Sequence, residues 1–307
     1  MDLVALATRL KSGESSLGTI DAEINSYKEL YALPPPENDE EFAEWLQRRE
    51  SLAGAINQLA STLRSEDTEQ GIVSLGRVLT SAASLLETGT RLQAWASVGE
   101  RLARIKAYES ALDWFDAADG IYDELTNTDK KYPLQNVLFK PECLEALNRY
   151  QDLEQFAQRL IETLGEAAPF YKHLGAAKGA LGRHPEAIKA FNRALELFDQ
   201  VEPGKNVDGE RADVYYRLGA SARSAGDYEG ALQAFESARS FALQAKNRVL
   251  AAFALSEQGI TWNQVGDELR GRKLLVAAAA EADALGRAID AARWRAAPPP
   301  PDTPHCA

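Results

Sequence analysis

Apolar residues recur along this chain at the spacing of one helix face. Between Glu40 and Leu63 they fall at Phe42, Trp45, Leu46, Leu52, Ile56 and Leu59, roughly an i, i+3, i+4 stripe that predicts an amphipathic helix. Ile72, Leu75, Val78, Leu79, Leu85 and Leu86 predict a second helix over residues 71–86. Upstream, Asp21 to Leu33 reads as a helix stopped by Pro34, Pro35 and Pro36. Further along, the stripe gives way to a pattern of small and large residues that repeats. Tyr171, Leu174, Gly175, Gly182, Ala187, Phe191 and Ala194 are matched in type and offset by Tyr215, Leu218, Gly219, Gly226, Ala231, Phe235 and Ala238. A third copy runs through Trp95, Gly99, Tyr108, Ala111, Phe115 and Ala118. A weaker fourth runs through Leu255, Gly259, Trp262, Gly266, Gly271, Leu275 and Ala278. A degenerate copy lies between, at Leu144, Leu147, Tyr150, Leu153 and Ala157, with Pro141 in place of the small residue.

Packing explains the pattern. Gly175, Gly219, Ala187 and Ala231 are small where two helices must approach closely. Phe191 and Phe235 follow one turn after the small alanines and are expected to fill the gap between hairpins. Gly182 and Gly226 stand between helical runs, where a left-handed turn residue favours glycine. The sequence predicts an all-α chain built as an α-solenoid of helical hairpins, each leaving an apolar side for the next to cover.

These residues resemble the tetratricopeptide repeat, with aromatic, Leu, Gly, aromatic, Ala, Phe and Ala at the family's offsets over roughly residues 90–285. The resemblance implies a right-handed superhelix that binds proteins. The corresponding glycines are Gly99, Gly175, Gly219 and Gly259, and the first interval spans the degenerate copy. With that interval divided in two, every unit is longer than the family norm of about 34 residues. The excess is assigned to loops after second helices, as at Asp199–Gly209. Such lengthened units are similar to those of G-protein-signalling modulators and bacterial peptide-sensing regulators. Residues 1–90 are expected to form an N-terminal cap or diverged repeats, and residues 91–297 the array, closed by a helix running from Leu274 to Trp294. Residues 298–307 are expected to be a Pro-rich disordered tail.

Composition narrows the function. Hydrophobic residues make up 45% and charged residues 26% of the 307, as in folded proteins that live in water. No apolar run reaches the roughly 18 residues of a membrane span, so no membrane partner is expected. The start lacks the basic-then-apolar pattern of a secretory signal, and a cytoplasmic protein is expected. Cys143 and Cys306 are too few for a disulfide framework. The net charge is −12, and residues 1–90 hold 15 acidic and 7 basic residues. Nucleic acid is not expected, because the only basic cluster is Arg270–Arg272–Lys273.

The sequence shows no catalytic constellation. His173, His184 and His305 lack the neighbours that metal or acid–base chemistry requires, and no phosphate-binding or nucleophile-elbow motif occurs. No cofactor, no metal and no enzyme activity are expected. By resemblance, the first helix of each hairpin lines a partner-binding groove. The matching positions are Gln93, Glu100 and Arg104, then Lys172, then Tyr216 and Arg223, then Ser256, Asn263 and Gln264. The carboxylate clamp of chaperone-binding members is broken: Lys172 is in place, but Ala176 stands where an Asn is needed. The expected partner is a protein or peptide. The alternative is a peptide- or signal-sensing module that controls a partner enzyme. The sequence leaves the oligomeric state open.

Overall fold

The computed structural model describes residues 2–27, 38–85, 88–125, 131–201 and 207–296. Every regular element among them is a helix. The chain divides into two compact units, 1–149 and 150–307. The boundary falls inside the degenerate copy, and residues 1–90 belong to the first unit.

The first unit holds α1 (Leu3–Lys11), α2 (Leu17–Asn25), α3 (Asp39–Ser65), α4 (Glu69–Ala83), α5 (Thr88–Arg104), α6 (Tyr108–Glu124) and α7 (Leu134–Ala146). The sequence reading missed α1, which Asp2 caps by accepting from the Ala5 N–H. The helix expected to reach Leu33 ends at Asn25, and Pro34–Pro36 lie outside the described residues. Helices α1, α3 and α5 pack around α4, burying Leu3, Leu59, Leu63, Ile72 and Leu79. A buried polar knot ties α7 to α6. The Asp119 carboxylate accepts from the Tyr132 hydroxyl, from Asn136 Nδ2 at 2.7 Å and from Lys140 Nζ at 2.5 Å.

The second unit holds α8 (Tyr150–Leu164), α9 (Ala168–Ala180), α10 (His184–Asp199), α11 (Asp208–Ser224), α12 (Tyr228–Gln244), α13 (Arg248–Gln264), α14 (Glu268–Ala284) and α15 (Ala288–Arg295). Each helix packs on the next, and α9, α11 and α13 also touch in sequence. The small positions lie where the pattern places them: Ala187 and Ala231 are fully buried, and a Cβ on Gly175 would stand 2.6 Å from the Phe191 ring. The ring thus fills the crossing inside its own hairpin, not the gap between hairpins. It does so within a cluster that also holds Val214 of the following helix.

Long connections after second helices supply part of the lengthening, as expected, between Asp199 and Asp208 and between Glu124 and Leu134; the interval from Gly219 to Gly259 has another source. From Asp208 onward, helices α11 to α14 are each 17 residues long, beginning in turn at Asp208, Tyr228, Arg248 and Glu268. The long interval from Gly219 to Gly259 therefore comes from longer helices joined by three-residue turns. Part of the 199–209 loop falls outside the described residues, but Asp208 and Gly209 are already helical. The turns are near copies of one another. A left-handed residue stands in the middle: Gly226, Lys246, Gly266 or Gly286, with φ between +59° and +88°. The next amide reaches back to the helix it leaves, as Asp227 N–H does to Ala222 O at 2.9 Å. Asp227, Asn247 and Asp267 then cap the new helix by accepting from Gly230, Leu250 and Arg270 N–H. Gly286 ends α14, so the closing segment is two helices where one through Trp294 was expected. The short α15 seals the end with Ala291 and Trp294, whose ring meets Phe253 edge-on at 5.1 Å.

Candidate partner-binding face

Small residues on two facing helices leave room between them. On α9 these are Gly175, Ala176, Gly179 and Ala180; on α11 they are Ala220 and Ser221. Between these small residues a cleft of about 240 Å³ remains, walled by Phe191 of α10 and by Tyr216 and Arg217 of α11. His184, the first residue of α10, stands at the same cleft, and its buried Nδ1 has no hydrogen-bond partner among the described residues.

Charge pairs tie the first helices of neighbouring hairpins together beside this cleft. Lys172 on α9 reaches Glu210 on α11 at 2.7 Å, with Asp213 at 4.0 Å. Arg223 on α11 meets Glu257 on α13 at 2.5 Å, and both side chains are largely buried. The Tyr216 hydroxyl donates to the other oxygen of Glu257 at 3.5 Å. Burial, followed by the negative charge of Glu257, pushes the Tyr216 phenol up to about 12, so it remains a proton donor. Its ring meets Phe235 edge-on at 5.8 Å, and the Arg223 guanidinium lies 5.7 Å from the same ring. The Arg and the Tyr are thus held in place before any partner arrives.

The structure sorts the nine groove positions read from sequence. Lys172, Tyr216 and Arg223 lie on adjoining helices of the second unit, and Gln264 is exposed at the end of α13. Ser256 and Asn263 are not groove residues. Ser256 is fully buried and its short side chain turns back to donate to Phe253 O at 2.7 Å. Asn263 is 9% exposed and stands against Gly271, whose missing Cβ would lie 1.8 Å from Asn263 Oδ1. The helix crossing at Gly271 takes up that side chain. Gln93, Glu100 and Arg104 form a separate group on α5 of the first unit. There Arg104 donates twice to Glu100, at 3.0 and 2.9 Å, and covers the Phe139 ring at 4.8 Å.

Glu257 is the residue that sequence reasoning missed. It follows the predicted position 256 by one, and its carboxylate meets Arg223 of the preceding hairpin. Glu210, Asp213 and His184 were missed for a related reason: their roles depend on contacts between hairpins that no single repeat displays. Among the described residues no cluster of His, Cys, Asp and Glu could hold a metal ion. No helix among them is long and apolar enough to cross a membrane.

A family profile described as the tetratricopeptide repeat matches residues 166–244. No curated protein matches the chain. Among solved structures, a Rap protein complexed with Competence and Sporulation Factor is similar over 91% of this chain and 80% of its own, at 12% identity and a TM-score of 0.51. A chain of the APC/C hetero-tetramer Cut9–Hcn1 is similar over 95% of this chain at 15% identity and a TM-score of 0.51; this chain spans about half of it, 51%. MamA aligns over 58% of this chain and 95% of its own at 20% identity, with a TM-score of 0.45. Residues 166–244 thus match the tetratricopeptide-repeat profile, and the chain has an all-α helical-repeat fold similar to that of these solved structures.

Proposed function

We propose that the face formed by α9, α11 and α13 docks a peptide or helix of a partner protein, making the chain an interaction scaffold. The observation that carries this reading is the cleft between α9 and α11 with Tyr216 in its wall. At about 240 Å³ it is smaller than the roughly 300–1,000 Å³ of sites that enclose whole small molecules, and is suited to one anchoring side chain. Arg and Tyr are effective anchors at interfaces, and Arg223 and Tyr216 are already oriented by Glu257 and Phe235. Preorganisation of this kind reduces the entropy lost on binding.

Peptides selected from a random library on the full chain test the reading. Peptides that use the cleft bind at least tenfold more weakly to Ala220→Leu, which fills it, while the melting temperature stays close to that of the parent. Failure to select any binder, or equal binding to both proteins, would remove this face from consideration.

A second reading, a sensor that changes conformation on binding a peptide signal and controls a partner enzyme, draws on the Rap protein in complex with its factor. It differs in one measurement: a selected peptide changes the small-angle scattering profile of a sensor and leaves that of a rigid scaffold unchanged.

A further inference from the structure

We propose that the partner side chain seated in the cleft between α9 and α11 is a carboxamide, from glutamine or asparagine. The proposal rests on the docking of a partner at this face and names the chemistry of its anchor. The cleft is small-sided but not uniformly apolar. Ser221 of α11 is 6% exposed, and its hydroxyl has no hydrogen-bond partner among the described residues. The other buried serines and threonines among them, Ser74, Thr80, Ser256 and Thr261, each donate to a carbonyl of their own helix at 2.8, 3.0, 2.7 and 2.7 Å. Ser221 instead points across the cleft, where a Cβ on Gly179 of α9 would stand 3.2 Å from its Oγ. A buried hydroxyl left unpaired is costly and rare in folded proteins, so it marks a place for an incoming polar group.

His184 supplies a second such group at the same cleft, and its ring makes no hydrogen bond among the described residues. Because buried Nδ1 has no acceptor, the ring proton is assigned to Nε2, which makes that nitrogen a donor. Charge then selects among polar occupants. No Asp or Glu lines the cleft, and the cation Arg217 donates through Nε to both oxygens of Asp213, at 3.2 and 3.1 Å. Beside it, Lys172 pairs with Glu210 and Lys178 with Glu186, each at 2.7 Å. An acidic anchor would lose its water to meet cations already matched by carboxylates, and a basic anchor would find no carboxylate in the lining. An apolar anchor would leave Ser221 and His184 unpaired. A carboxamide is neutral and carries an acceptor and two donors in one plane. Its oxygen can accept from His184 Nε2, its NH₂ can donate to Ser221 Oγ, and its methylene stem can rest on Gly175, Ala176 and Gly179.

Peptides selected from a random library on the full chain, and shown to use the cleft by weaker binding to Ala220→Leu, carry the test. The anchor is the peptide position whose change to alanine weakens binding to the parent and not to Ala220→Leu. Glutamine or asparagine is expected there, and placing glutamate or methionine at that position is expected to weaken binding about tenfold or more. Ser221→Ala is expected to keep the thermal melt of the parent and to shrink the preference for glutamine over methionine to about threefold or less. An acidic or apolar anchor, or a preference that Ser221→Ala leaves intact, would overturn the proposal while the docking of a partner still stands. The absence of any cleft-dependent peptide would overturn both.

Discussion

The ring of Phe235 occupies the space where a side chain on Gly219 would be, with its edge carbons 2.8 Å from the position of an added Cβ. The same contact recurs between Gly99 and Phe115 at 2.6 Å, and between Gly175 and Phe191 at 2.6 Å, always at the same separation along the chain. At Gly259 the partner is Leu275, and the crossing is tight enough that the backbone oxygen of Gly271 takes part. Each of these four hairpins is therefore fastened by one large residue set into one missing side chain.

Phe235→Ala is expected to cost about 3–5 kcal/mol, because a fully buried ring leaves a cavity. Gly219→Ala is expected to cost about 1–3 kcal/mol by overpacking. Combining Gly219→Ala with Phe235→Leu is expected to cost less than the two single changes added, since the smaller partner seen at Gly259 makes room. Urea unfolding of the parent, both single variants and the double variant measures the coupling; strict additivity would mean the two residues do not share the site.

Lys106 and Lys246 hold the left-handed turn position that Gly182, Gly226, Gly266 and Gly286 hold elsewhere, at φ of 65° and 59°. A side chain with a Cβ is strained there by about 1–2 kcal/mol, and glycine recovers this less its larger unfolded-state entropy. Lys246→Gly is expected to raise stability by about 0.5–1 kcal/mol, read as a higher urea midpoint with an unchanged slope.

The Glu66 carboxylate, at the turn between α3 and α4, accepts from Lys11 Nζ and from the Thr68 hydroxyl, each at 2.7 Å. These contacts, Lys11 first, lower its pKa from 4.5 to about 2. A carboxyl group lowered on folding stabilises the fold above its unfolded value and loses that contribution as pH falls towards its folded value. The stability difference between the parent and Glu66→Gln is expected to be fully present above about pH 5 and to vanish towards about pH 2. A difference that does not change over this range would show that the Lys11 contact contributes nothing.

The hairpins were legible because their requirements are local: a missing Cβ, a ring at a fixed offset from it, a glycine in the turn. Helix ends and side-chain registers were less so. Ser256 matches Tyr216 by offset, yet its hydroxyl finds a carbonyl of its own helix, while the larger phenol reaches the neighbouring hairpin. Asn263 was assigned to a groove because the sequence does not show that Gly271 opens a space beside it. The short α1 carries too few residues for a periodic stripe to stand out. The lengthened repeat was visible as an interval, but whether loops or helices absorb the extra residues depends on where the turn caps fall.

From Asp208 onward the turns inside and between hairpins share one construction, linking the helices as a train of rods, while the glycine crossings at Gly219 and Gly259 alternate with joints that lack them. Excising two consecutive rods joins a rod to its own counterpart and keeps the face of every rod beyond the join. Excising a single rod joins it to its opposite and turns the rest over. Growth and loss of this region are thus neutral to surface only in even steps.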